Sequence, residues 1–130
     1  MPDWSIKIVP TTSQIAGILA EFVPNVNGAK PGDSLKVEQG DLISWNDTSN
    51  TEAHWPWLCA NDTYKVQDPP PGGVYLTTDP IQPRHSSPFF NVIQPQGTIL
   101  YYCCRYHPQE RGRVVVVGFG DTTAQDGPSA

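Results

Sequence analysis

Gly97-Thr98-Ile99-Leu100-Tyr101-Tyr102-Cys103-Cys104-Arg105-Tyr106-His107-Pro108-Gln109-Glu110-Arg111-Gly112-Arg113-Val114-Val115-Val116-Val117 is the stretch on which the fold turns. Its first part is β-branched and aromatic on both faces, so Gly97 to Cys104 is predicted as a central, buried strand. Arg113 to Val117 is predicted as a second β-branched strand, and the polar residues between them form a tight loop. That loop gathers Cys103, Cys104, His107 and Glu110 within eight residues.

Working outward, Trp4 to Val9 alternates polar and apolar residues up to Pro10, the pattern of a strand. In Gln14 to Val23, Ile15, Ile18, Leu19 and Phe22 fall at helical spacing behind a Thr-Ser cap, so helix and strand both stay open there. Leu35 and Val37, the turn Gln39-Gly40-Asp41, and Leu42 to Trp45 are predicted as a hairpin. His54 follows within His54-Trp55-Pro56-Trp57-Leu58-Cys59, an imidazole among large apolar groups and therefore expected to be buried. Ala60 to Pro95 is proline-rich, with short strands expected at Val74 to Leu76 and Phe89 to Ile93.

The chain holds 14 prolines and 11 glycines, 25 of its 130 residues together, and interior proline breaks helices and central strands alike. The reading is an all-β single domain over residues 1–118 with a small, polar tail at 119–130. A net charge of −5 without a run of Lys or Arg argues against a nucleic-acid surface. No stretch approaches the roughly 18 apolar residues of a membrane span. Met1-Pro2-Asp3-Trp4 shows no charged segment followed by an apolar one, so the expectation is a cytoplasmic chain or one trimmed of its leader. Three cysteines, Cys59, Cys103 and Cys104, leave at least one thiol unpaired.

Thiolate and imidazole are soft and borderline donors that suit copper, zinc or iron, and two His, one Cys and a weak axial donor make a mononuclear type 1 copper set. A carboxylate with the same three donors also suits tetrahedral zinc.

The stretch resembles the final strand, copper loop and closing strand of the cupredoxins, the small blue copper proteins. Its Cys, two residues, His-Pro, one residue, a position that is Met in amicyanin and Glu110 here, Arg-Gly and a valine run are most similar to amicyanin. Upstream, Phe22, Pro24, Leu35-Lys36-Val37, Gly40-Asp41, Ile43-Ser44-Trp45-Asn46 and His54 resemble the strands that supply the family's first histidine. The resemblance covers residues 4 to 118, is weak over 60–95, and implies a Greek-key β-sandwich of about eight strands. It further implies one Cu(II)/Cu(I) ion on His54, Cys104 and His107, and electron transfer to redox partner proteins docking near His107. A monomer, periplasmic or extracellular in its mature form, is expected by the same analogy.

Two departures stand out. The axial methionine of the family is replaced by Glu110, the chain's one Met being Met1, with Gln109 the weaker alternative. A carboxylate favours Cu(II), lowers the potential and resembles the red copper site of nitrosocyanin. An open site for small molecules, or copper sequestration and delivery, are the competing functions. The second departure is the Cys103-Cys104 pair, whose side chains point to opposite faces of a strand. Strand length counted from Gly97 favours Cys103 as ligand, and the loop match favours Cys104, which is adopted. Cys103 then faces outward, where Cys59 is expected to form a disulfide with it. Asn46, Asp47 or Thr48 is expected to hydrogen-bond near the thiolate, and His85 to lie on the surface.

Overall fold

A computed structural model describes residues 3–11, 18–123 and 125. Eight strands form two four-stranded sheets: β1 (Asp3–Pro10), β2 (Ala20–Pro24), β3 (Ser34–Glu38), β4 (Leu42–Asp47), β5 (Pro56–Cys59), β6 (Phe90–Asn91), β7 (Ile99–Cys104) and β8 (Arg111–Val117). One sheet runs β2-β1-β4-β6 and the other β3-β8-β7-β5. The expected β-sandwich is therefore present, and two short 3-10 turns, Pro71–Gly73 and Asp121–Thr123, complete it.

The alternation of the sequence decides what each strand buries. Ile6 and Ile8 of β1, Leu35 and Val37 of β3, Ile43 and Trp45 of β4, Leu100 and Tyr102 of β7, and Val114 and Val116 of β8 face the space between the sheets. Phe22 and Trp45 meet the Tyr102 ring edge-on, at 4.9 and 5.4 Å between centroids. Opposite Tyr102 on β8 stands Gly112, where an added Cβ would come within 2.3 Å of the Tyr102 ring. This contact explains a glycine inside a strand: the aromatic ring occupies the room its side chain would need.

The segment left open between helix and strand resolves as strand from Ala20 onward; residues 12–17 lie outside the described residues. The expected hairpin of Leu35–Val37 with Leu42–Trp45 is not formed. β3 pairs in parallel with β8 and β4 in parallel with β1, so the chain crosses from one sheet to the other at Gln39-Gly40-Asp41. Gly40 turns with φ 97° and donates its N–H to Val92, outside any hairpin ladder. Buried Asp41 accepts from the Glu38 N–H and the Trp4 indole, which fixes the crossover against β1.

The middle of the chain is mostly irregular. Val74 to Leu76 is no strand, because the Pro70-Pro71-Gly72-Gly73 turn sits directly before it, although Leu76 still packs into the core. Of Phe89 to Ile93, only β6 pairs, with Leu42 and Ile43. Past β8, Gln125 bonds both the N–H and the carbonyl of Lys36 on β3. No helix among the described residues is long and apolar enough to cross a membrane.

Candidate metal centre

At the end of β7 the chain turns back into β8 through a loop that closes on itself. Cys104 N–H donates to the Glu110 carbonyl, His107 N–H to the Cys104 carbonyl, and Glu110 N–H to the His107 carbonyl, all within 2.8–3.1 Å. Positions 104, 107 and 110 are thereby turned to the same side. His54 comes from the segment between β4 and β5, where its N–H and carbonyl both pair with Ile81, at 3.0 and 2.8 Å. It lies on the link from one sheet to the other, since β4 and β5 belong to different sheets.

One donor atom from each of His54, Cys104, His107 and Glu110 lies within 4.8 Å of the others. Cys104 Sγ stands 3.7 Å from His54 Nδ1 and 3.8 Å from His107 Nδ1. Glu110 Oε1 stands 3.2 and 3.4 Å from the same two nitrogens. Such separations are those of donors sharing an ion at about 2.0–2.3 Å. Burial supports the fit: Cys104 and His54 are 0% exposed and Glu110 2%, and among the described residues no hydrogen bond reaches Glu110 Oε1. A buried carboxylate oxygen facing two imidazoles is costly unless a proton on an imidazole or a shared cation offsets its charge.

Electrostatics follow the geometry. Burial alone would lower the His54 pKa, but contact with Cys104 and Glu110 outweighs it and raises the value to about 10. Burial likewise works against ionised Glu110, and His54 together with the Leu19 and Ala20 amides overcomes it, leaving the carboxyl below its ordinary range. Those amides donate to Glu110 Oε2 at 2.7 and 2.9 Å, so the entry to β2 locks one oxygen while the other faces the histidines. Glu110 is thus no solvated carboxylate, and Gln109 is exposed and outside the group.

The neighbours of the Cys104 sulfur differ from those expected. Asn46 bonds Ser86, Asp47 the Ser49 N–H and Thr48 the Ile8 carbonyl, so none of the three serves the sulfur. The Trp55 N–H points at Cys104 Sγ from 3.5 Å instead, because Arg105 N–H to the Trp55 carbonyl draws the two segments together. Trp55, Trp57 and Tyr106 form an aromatic wall, with Arg105 over the Trp57 ring at 4.3 Å. His85 is exposed.

Cys103 points to the outer face, next to Cys59 as expected, but the two are free thiols with sulfurs 3.5 Å apart, not a disulfide. The β5–β7 register places Trp57 directly across from Cys103, so Cys59 reaches it only on the diagonal.

One residue escaped the sequence reading. Glu52 Oε2 lies 3.6 Å from His54 Nε2, a buried nitrogen without a hydrogen bond among the described residues. Ligating histidines characteristically donate their second N–H to a carboxylate or carbonyl. The signal was a glutamate two residues before the candidate histidine, and no periodicity marks it.

No protein-family model matches the chain. A curated relative, Laccase-1 of Arabidopsis thaliana, is 31% identical over 94 residues, 68% of this chain. The match spans 15% of that relative's length. Among solved structures, a purple cupredoxin from Nitrosopumilus maritimus superposes with a TM-score of 0.57 at 15% identity, over 86% of this chain and 97% of that one. A copper nitrite reductase from Nitrosomonas europaea gives 0.51 at 14% identity, over 96% of this chain and 44% of that one. Two packed four-stranded sheets, matched along nearly the whole length of the purple protein, make the chain a cupredoxin in fold.

Proposed function

We propose that the chain is an electron-transfer protein holding one copper ion on His54, Cys104 and His107, with Glu110 as the axial donor. The observation that carries it is the convergence of these four donors, three of them buried, at one end of a cupredoxin sandwich. Copper bound there supplies one-electron chemistry. The chain's part is to hold the donors still: the loop closes through its own backbone bonds, Ile81 grips His54, and two amides grip Glu110. Ligands that move little between oxidation states keep reorganisation small.

On this reading the port for a redox partner is the edge where the His107 side chain is 23% exposed and Tyr106 49%. A monomer in an exported compartment is part of the same reading, by analogy with the copper proteins of this fold.

A second reading, in which a small exogenous ligand approaches the site, would use a cavity of about 240 Å³ beside Glu110, lined also by Ala20, Phe22 and Gln109; His54, Cys104 and His107 do not line it.

The test is titration of metal-free protein with Cu(II), followed by visible absorption and electron paramagnetic resonance, on wild type and Glu110→Met. An intense thiolate-to-copper band at one equivalent is expected, its higher-energy component dominant in wild type and reduced in Glu110→Met. Absence of any such band overturns the copper reading and leaves zinc. A band that Glu110→Met does not alter removes Glu110 from the axial role. A response to azide favours the second reading.

A further inference from the structure

Cys59 and Cys103 take no part in the donor group, yet they are placed with care. On β7, Cys104 joins the inter-sheet core, and Cys103, one residue earlier, lies on the outer face of its sheet. Outer-face side chains usually meet water. Cys103 is 0% exposed and Cys59 4%, because irregular chain from 60 to 68 lies over them. The Tyr64 carbonyl comes to 4.0 Å from Cys103 Sγ, and Tyr64 adopts a left-handed φ of 54°, unusual for a residue with a side chain. Arg111 caps the Tyr64 ring at 4.7 Å, and the Trp57 indole holds the Gln67 carbonyl at 2.8 Å. Beneath this cover the two sulfurs touch, 3.5 Å apart.

We propose that Cys59 and Cys103 form a redox modification site, a dithiol that a peroxide converts to a disulfide while the Cys104 sulfur is left untouched. One sulfur attacks the peroxide, breaks its O–O bond and keeps one oxygen as a sulfenic acid, with release of a first water. The second sulfur displaces that hydroxyl as a second water, and the S–S bond forms. The pair loses two electrons, the peroxide gains them, and both thiol protons leave in the waters. Closure brings the sulfurs together by about 1.5 Å, to a bond of about 2.05 Å, and from the diagonal register it requires a local shift of β5 against β7. Peroxide is near water in size, and the cover is loop, which opens more easily than a strand ladder. The bond ties β5, the strand after His54, to β7, the strand that ends in Cys104. It also withdraws Cys103 from competition with Cys104 for soft metals. The inference stands on the sulfur contact and holds whichever metal the centre takes.

The experiment uses the full, metal-free chain, reduced and then exposed to hydrogen peroxide, with thiols counted in denaturant and peptides mapped by mass. The three thiols of the sequence are expected to fall to one, Cys104, with a Cys59–Cys103 cross-linked peptide lighter by two hydrogens. Cys104→Ser is expected to form the same cross-link and to retain no thiol. A cross-link through Cys104, oxygen added to Cys59 or Cys103 without a cross-link, or three surviving thiols would each overturn the proposal. Mapping wild-type protein keeps the test decisive even where a serine variant folds poorly.

Discussion

The loop from 104 to 110 supplies three donors and closes through its own backbone hydrogen bonds, whereas the segment from 48 to 55 supplies His54 alone and relies on distant chain. Ile81 holds the His54 backbone, and Glu52 approaches its outer nitrogen. The first loop carries its geometry in its own sequence; the second has its geometry imposed by the rest of the sandwich. Changes within the first should therefore remove or rewrite the centre, and changes around the second should loosen it.

The largest effect expected is that of Cys104→Ser, which eliminates the thiolate-to-copper band, whereas Cys103→Ser retains it; visible spectra of the two copper-titrated variants decide the point. Next comes Glu110→Met. It leaves the Leu19 and Ala20 amides without their acceptor, and a stranded buried donor costs about 1–3 kcal/mol, so metal-free protein should lose about 2 kcal/mol in urea unfolding. On the other side of the comparison, Glu52→Ala should weaken copper binding by about 10–100-fold, the usual cost of removing a ligand's outer partner, and leave urea stability almost unchanged. Competition with a copper chelator measures it. An unchanged affinity would mean that His54 is held by its backbone alone.

A further probe is pH, with a slope of no more than about 1.4 kcal/mol per pH unit for each group. His54, raised from 6.5 to about 10, stabilises metal-free protein fully below its ordinary value and loses that contribution as pH rises toward 10. Glu110, lowered from 4.5, contributes above that value and loses the contribution as pH falls beneath it. The urea midpoint should be highest between these limits and decline on both sides. Glu110→Gln should flatten both flanks, and a flat wild-type profile would show that the contact contributes nothing.

How much could be read in advance divides along the same line. Cys104, His107 and Glu110 were legible because their chemistry and spacing are local. β1, β7 and β8 were legible because alternation and β-branching mark a strand whatever its partner. The crossing at Gly40 was not, since Leu35 and Val37 followed by Ile43 and Trp45 present the same pattern to a hairpin as to a chain passing between sheets. Only the partners differ, and those partners, β8 and β1, lie far along the chain. The Trp55 amide at the sulfur was equally hidden, because a backbone donor has no sequence signature.

The crossing also sets an order of assembly. β7 and β8 are neighbours in sequence and pair antiparallel, so their hairpin, with the 104–110 loop at its tip, needs only a short closure. The parallel pairs Ser34 with Arg113 and Asp3 with Leu42 must wait for remote segments to meet, the slower kind of contact to form. Thiol, imidazole and carboxylate are therefore brought together early, and His54 joins them when the sandwich shuts. If that hairpin closes first, a nascent chain would carry an incomplete, exposed donor set open to whatever soft ion is at hand. For such a fold, when metal becomes available matters as much as which metal it is.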